Sequence, residues 1–91
     1  MKPVVRTMSY LADLDDIERF IARNNPQAAA SLCLHVDDQV EQLGDPYFPR
    51  RRGRVSGTFE LVAHKNYVVI FLESATEITA LNIIHTRKRY P

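Results

Sequence analysis

An α+β architecture is predicted for these 91 residues by the order of their patterns. A short β-branched run comes first. Two helical stripes follow, divided by Asn24-Asn25-Pro26. Three strand-like runs close the chain, joined by links too short for anything but antiparallel pairing. The expected fold is an N-terminal strand, then an antiparallel helical hairpin packed on one face of a twisted antiparallel sheet. The length suits one domain spanning 1–91.

Val4-Val5-Arg6-Thr7-Met8 is rich in β-branched residues and reads as the first strand. Ser9 is a good cap type for a helix over about 10–23, where Leu14, Ile17 and Ile21, with Phe20 beside them, recur at helical spacing. Asp13, Asp15, Asp16 and Glu18 lie in its first half, where the helix dipole favours them. Asn25 can cap a second helix, and Pro26 suits its first position because no backbone donor is needed there. Ala29, Leu32, Cys33, Val36, Val40 and Leu43 form its apolar stripe, and Gly44 and Pro46 end it. Residues 45–54 hold two prolines and a glycine without periodicity, and read as a loop. Strands are expected over 59–63, 67–72 and 78–84. Asn66 offers a residue that tolerates positive φ in the first tight turn.

The composition narrows the classes. Hydrophobic residues make up 45% and charged residues 25%, which suits a packed domain rather than a disordered one. No apolar run is long enough to span a membrane, and the N-terminus lacks the apolar stretch of a signal peptide. Cys33 is the single cysteine, so no internal disulfide forms, and a reducing cytoplasm is the expected setting. The net charge of +1 conceals a polarity. Residues 1–49 carry four basic and eight acidic side chains, while residues 50–91 carry eight basic and three acidic. Such a basic half points to an acidic or polyanionic partner.

Two segments carry candidate chemistry. Arg50, Arg51, Arg52 and Arg54 put four guanidinium groups into five positions, and planar guanidinium donors suit phosphate and carboxylate. Tyr47 and Phe48 lie nearby as candidate stacking rings. The tail brings together His85, Arg87, Lys88, Arg89 and Tyr90. Histidine, arginine and tyrosine are the types that RNA cleavage by 2′-hydroxyl attack needs as base, phosphate clamp and acid. Elsewhere the signals are structural. His35, His64 and His85 have no metal-ligand spacing, so no metal is expected. Cys33 reads as a small core residue, and Asp15, Asp16, Asp37 and Asp38 as solvated helix acids. Ser31, Ser56 and Ser74 lack a nucleophile context.

Taken in order, several short motifs resemble one family. They are Asp13-Leu14-Asp15-Asp16-Ile17 with Phe20-Ile21-Ala22, Asn25-Pro26-Gln27-Ala28-Ala29, and Gly53-Arg54-Val55-Ser56-Gly57-Thr58-Phe59-Glu60-Leu61-Val62. Asn66-Tyr67-Val68-Val69-Ile70-Phe71, Ile84-His85-Thr86-Arg87 and Tyr90-Pro91 follow. Together they resemble the ParE/RelE superfamily, the small toxins of bacterial type II toxin–antitoxin modules. RelE-like members cut mRNA on the ribosome, and ParE-like members poison DNA gyrase by trapping its cleaved-DNA intermediate. The RelE lysine positions fall on Phe59 and Leu61 and its first arginine on Val68, with Arg87 alone matching. Those apolar residues can neither clamp a phosphate nor move a proton, so the resemblance favours the ParE branch. It implies a toxin that acts by binding DNA gyrase rather than by its own catalysis, needs no cofactor, and is neutralised by a cognate antitoxin. The antitoxin would lay its apolar side into the groove of the helical hairpin. Arg50, Arg51, Arg52, Arg54, Arg87, Lys88 and Arg89 would contact the target or the antitoxin. The alternative is a ribosome-dependent mRNA endonuclease using His85, Arg87 and Tyr90, with Glu60 and Arg54 completing the set found in other nuclease branches.

Overall fold

A computed structural model of the chain describes residues 1–87. Its elements run β1 (Val4–Arg6), α1 (Met8–Ala22), α2 (Pro26–Gln42), β2 (Arg51–Arg52), β3 (Phe59–His64), β4 (Tyr67–Glu73) and β5 (Ile78–His85). The five strands form one sheet in the order β1-β5-β4-β3-β2. Strands β2 to β5 are antiparallel, as expected. The sheet as a whole is mixed, because β1 runs parallel to β5, with Val4 opposite Ile78 and Arg6 opposite Ala80. The link between β1 and β5 contains every other element, so the helical hairpin serves as the crossover that parallel pairing requires.

Strand β1 stops at Arg6 because Thr7 is already committed. Its hydroxyl oxygen accepts from the Tyr10 N–H at 3.1 Å and its N–H donates to the Ala80 carbonyl at 3.1 Å. Thr7, not Ser9, is therefore the cap of α1. Both are capping types, and docking against β5 selects between them. The cap of α2 is the expected one, with Asn25 accepting from the Ala28 N–H at 3.0 Å and Pro26 opening the helix. Gly44 follows α2 for a packing reason. A Cβ there would collide with the Lys2 carbonyl, while Lys2 N–H donates to the Gly44 carbonyl at 3.0 Å.

Two further expectations are corrected. Arg51 and Arg52, read as loop, form the edge strand β2, opposite Glu60 and Phe59 of β3. Asn66 does not take positive φ; the turn is closed by its N–H donating to His64 Nδ1 at 3.1 Å.

The core lies between the helices and one sheet face. Tyr10, Val36, Val40 and Leu43 from the helical side meet Leu61, Val69, Phe71, Ile78, Ala80 and Ile83 from the strands. Alternation sends Tyr67, Val69 and Phe71 to that face and Val68 and Ile70 to the other. The stripe of α2 is as predicted, with Ala29, Cys33, Val36 and Val40 buried. The Cys33 thiol donates to the Leu14 carbonyl at 3.8 Å; burial, then Glu18 and Asp15, pushes its pKa up, as suits an inert core thiol.

Two helix acids read as solvated or dipole-stabilising in fact join the layers. Asp37 accepts from the Tyr10 hydroxyl and from Arg6 Nε, each at 2.8 Å, which ties β1, α1 and α2 together. Burial first, and then Asp37, drives the Tyr10 phenol well above its ordinary pKa. Asp13 accepts from the Ile83 N–H at 2.9 Å and Asn82 Nδ2 at 3.1 Å, fastening α1 to β5. Among the described residues, no helix is long and apolar enough to cross a membrane.

Candidate functional site

The four arginines adjacent in sequence part company in space. Arg50 turns inward, with its side chain 12% exposed. Its Nη1 donates to Glu73 Oε1 at 2.9 Å, its Nη2 to the Leu43 carbonyl at 3.1 Å and to the Asp45 carbonyl, and its Nε to the Phe48 carbonyl at 3.0 Å. The guanidinium also lies 5.9 Å from the centre of the Phe71 ring. Arg50 is thus a tie between the loop after α2 and the end of β4.

Arg51 and Arg52 point to opposite faces because β2 is extended. Arg51 sits directly across from Glu60, and its Nε donates to Glu60 Oε1 at 2.8 Å. The pair is lopsided: the Arg51 side chain is 61% exposed and that of Glu60 only 4%. Glu60 Oε2 is buried without a hydrogen-bond partner. Arg51, Arg54, Glu60, Val68, Ile84, His85 and Thr86 line a cleft of about 70 Å³ beside β2. On the other side of β2, exposed Arg52 borders a shallow groove of about 410 Å³ with Gly53, Arg54, Gly57 and Thr58. Gly57 has φ 87°, a left-handed turn position that glycine adopts without strain.

The stacking candidates divide as well. Tyr47 is 93% exposed, while Phe48 packs against the core.

Of the tail, His85 and Arg87 share a second groove. His85 pairs in register with Tyr67, and the two rings meet edge-on at 5.3 Å between centroids. Tyr67 belongs to the helix-covered face, so the His85 ring lies on that face and Glu60 on the opposite one. His85 Nδ1 accepts from the Arg87 N–H at 3.1 Å, which leaves the proton of the neutral ring on Nε2. Exposed Arg87 shares a groove of about 500 Å³ with Asp16, Ile17, Phe20, Tyr67 and His85. The structure therefore brings Glu60 and Arg54 together; His85 borders their cleft and also, with its ring against Tyr67, the helix-side groove that holds Arg87. Lys88, Arg89 and Tyr90 lie outside the described residues. Phe59 stacks on Phe71 at 5.8 Å, Leu61 is buried in the core, and Val68 is buried on the opposite face.

Sequence reasoning saw Glu60 as part of a possible nuclease set and missed its pairing with Arg51. The available signal was an acid between Phe59 and Leu61 in an otherwise apolar strand. Its partner was hidden because residues 50–54 carry no periodicity.

A helical hairpin on a five-stranded mixed sheet is the build of the ParE/RelE toxins. More narrowly, residues 4–90 match the family described as the ParE toxin of the type II toxin–antitoxin system parDE, and the chain belongs to that family. A protein of Sinorhizobium fredii (strain NBRC 101917 / NGR234) named "Putative toxin Y4kP" is 27% identical over 85 residues, which is 93% of this chain and 88% of that protein. The fold is shared with a chain of the chromosomal ParDE TA system from P. aeruginosa. That likeness has a TM-score of 0.81 at 24% identity, over 93% of this chain and 96% of that one. The Helicobacter pylori protein HP0894, known from a solution structure, shares the fold with a TM-score of 0.63 at 15% identity, over 99% of this chain and 100% of that one.

Proposed function

We propose that this ParE-family toxin acts on DNA gyrase, trapping the enzyme's cleaved-DNA intermediate, and that a cognate antitoxin neutralises it. The reading is carried by membership of the family together with the exposed arginines on and beside edge strand β2. Arg51, Arg52, Arg54 and Arg87 are exposed cations assigned here to a target or to DNA, and Arg50 supports the surface from below. Lys88 and Arg89 belong to the same proposal by sequence. The antitoxin is assigned to the helical side, where Leu11, Phe20 and Leu34 leave apolar surface exposed. A segment with an apolar stripe covers such surface, and acidic groups on it answer Arg87 at the groove beside Phe20.

The test is a supercoiling and DNA-cleavage assay with purified gyrase and toxin. Wild-type protein should inhibit supercoiling and accumulate cleaved DNA. A double variant, Arg52→Ala with Arg54→Ala, should fold normally and lose most of that poisoning. Full poisoning by the double variant would remove these arginines from the interface. Untouched gyrase, with codon-positioned cuts in mRNA from induced cells, would replace the reading with a ribosome-dependent endonuclease.

A further inference from the structure

We infer that the cleft over Glu60 holds one phosphate of a DNA backbone, and that Glu60 is the positioning residue that orients Arg51 toward it. The inference deepens the reading of the protein as a toxin acting on DNA-bound gyrase, and rests on it for the choice of DNA.

A guanidinium is a rigid plane with five N–H donors. Anchoring Nε to Glu60 Oε1 at 2.8 Å sets that plane and leaves the Nη donors for a ligand. The anchor itself is not offered to one, because Glu60 is 3% exposed and its second oxygen has no solvent contact. The Arg51 side chain is 61% exposed, so the pair reads as a surface donor on an internal mount. Arg54 and His85 stand at the same cleft, and Val68 and Ile84 supply apolar walls.

Size selects the ligand group. A cleft of about 70 Å³ holds roughly two waters by their ~30 Å³ share of liquid volume. That suits the oxygens of one phosphate. With Arg52 on the other face of β2, neighbouring phosphates of a polymer have cations on both sides of the strand, which a lone carboxylate would not use.

A carboxylate buried with one oxygen unpaired also costs stability, and because its partner Arg51 is mostly exposed, an apolar residue in its place leaves that cation to water instead of stranding it. That gives a test whose sign discriminates. If Glu60 acts on the ligand only through charge, removing it makes the cleft more positive and tightens DNA binding. If it positions Arg51, Glu60→Leu loosens binding although the cleft has become more positive.

The experiment measures fluorescence anisotropy of a short labelled DNA duplex against the full chain across a salt series. Thermal melts and the gyrase assay are run in parallel. Arg51→Ala should lower the slope of log affinity against log salt by roughly 0.9, one phosphate contact. Glu60→Leu should melt no lower than wild type and bind roughly 2- to 10-fold more weakly, the range of one lost hydrogen bond. Glu60→Gln, which keeps an acceptor for Arg51 Nε, should bind at least as tightly as wild type. Equal or tighter binding by Glu60→Leu would overturn the positioning role, and an unchanged slope for Arg51→Ala would overturn the phosphate contact. Single-stranded RNA bound more tightly than the duplex would overturn DNA as the ligand. Untouched gyrase with all three shifts intact would overturn the gyrase reading and leave the phosphate site standing.

Discussion

Arg50→Ala should destabilise the fold far more than the same change at either neighbouring arginine. The Arg50 side chain is 12% exposed and donates to one carboxylate and three carbonyls, those of Leu43, Asp45 and Phe48. Truncation removes a charge-assisted bond to Glu73, of about 1.5–3 kcal/mol. It also leaves three carbonyls near the end of α2 to find water, and takes the cation off the face of Phe71. Water reaches part of the vacated space and Lys2 still holds Glu73 at 2.9 Å, so the parts do not add in full. A net loss of about 3 kcal/mol is expected. For a chain of this size that is a fall in melting temperature of roughly 12–24 °C. Arg52→Ala, on an exposed side chain, should melt near wild type. The assay is thermal denaturation by circular dichroism, repeated with urea to check that the m-value is unchanged. An Arg50→Ala protein that melts alongside Arg52→Ala would refute the assignment of Arg50 to the fold and return it to the binding surface.

Glu73 makes the stability acid-sensitive. Burial alone would raise its pKa, but the hydrogen bonds and charges of Lys2 and Arg50 outweigh burial and hold it below the ordinary 4.5. The unfolded chain then takes up this proton before the folded one. The stabilisation is complete above the unfolded value and is lost as pH falls through the lower folded value. Urea midpoints of wild type should drop below about pH 4.5, and Glu73→Gln should start lower and show a shallower drop. Parallel pH curves for the two proteins would count against it. Tyr10→Phe deletes the hydroxyl that donates to Asp37 at 2.8 Å while leaving the buried ring in place. A loss of about 1–2 kcal/mol in the urea free energy is expected, with no change in m-value. A variant as stable as wild type would show that Arg6 alone satisfies Asp37.

Much of this architecture was legible in the chain. The α2 stripe, Asn25 with Pro26, and the three late strands depend on periodicity and on local caps, and these are properties of neighbouring residues. The resemblance to the ParE/RelE toxins was legible for a related reason, since short motifs in a set order survive in the sequence. The candidate site was legible as a concentration of charge between 50 and 54, without its division of labour. Arg50 faces inward only because Glu73 and the Leu43 carbonyl wait there. Arg51 and Arg52 separate only because β3 recruits them as an edge strand. His85 and Glu60 stand at the ends of an alternation that puts their side chains on opposite faces, which residue types alone do not reveal.

By itself, then, the sequence determined the number and kind of the principal elements, the helical hairpin and the polarity of charge between the two halves. Tertiary structure decided the parallel pairing of β1 with β5, the capping of α1 by Thr7 rather than Ser9, and which arginines meet solvent. The physical reason is range. Periodicity, capping and turn chemistry act over a few residues and are written locally. Strand partners, buried carboxylates and the mates of long flexible side chains are chosen across the chain: Lys2 reaches Glu73 over 71 positions, and no local pattern encodes that choice.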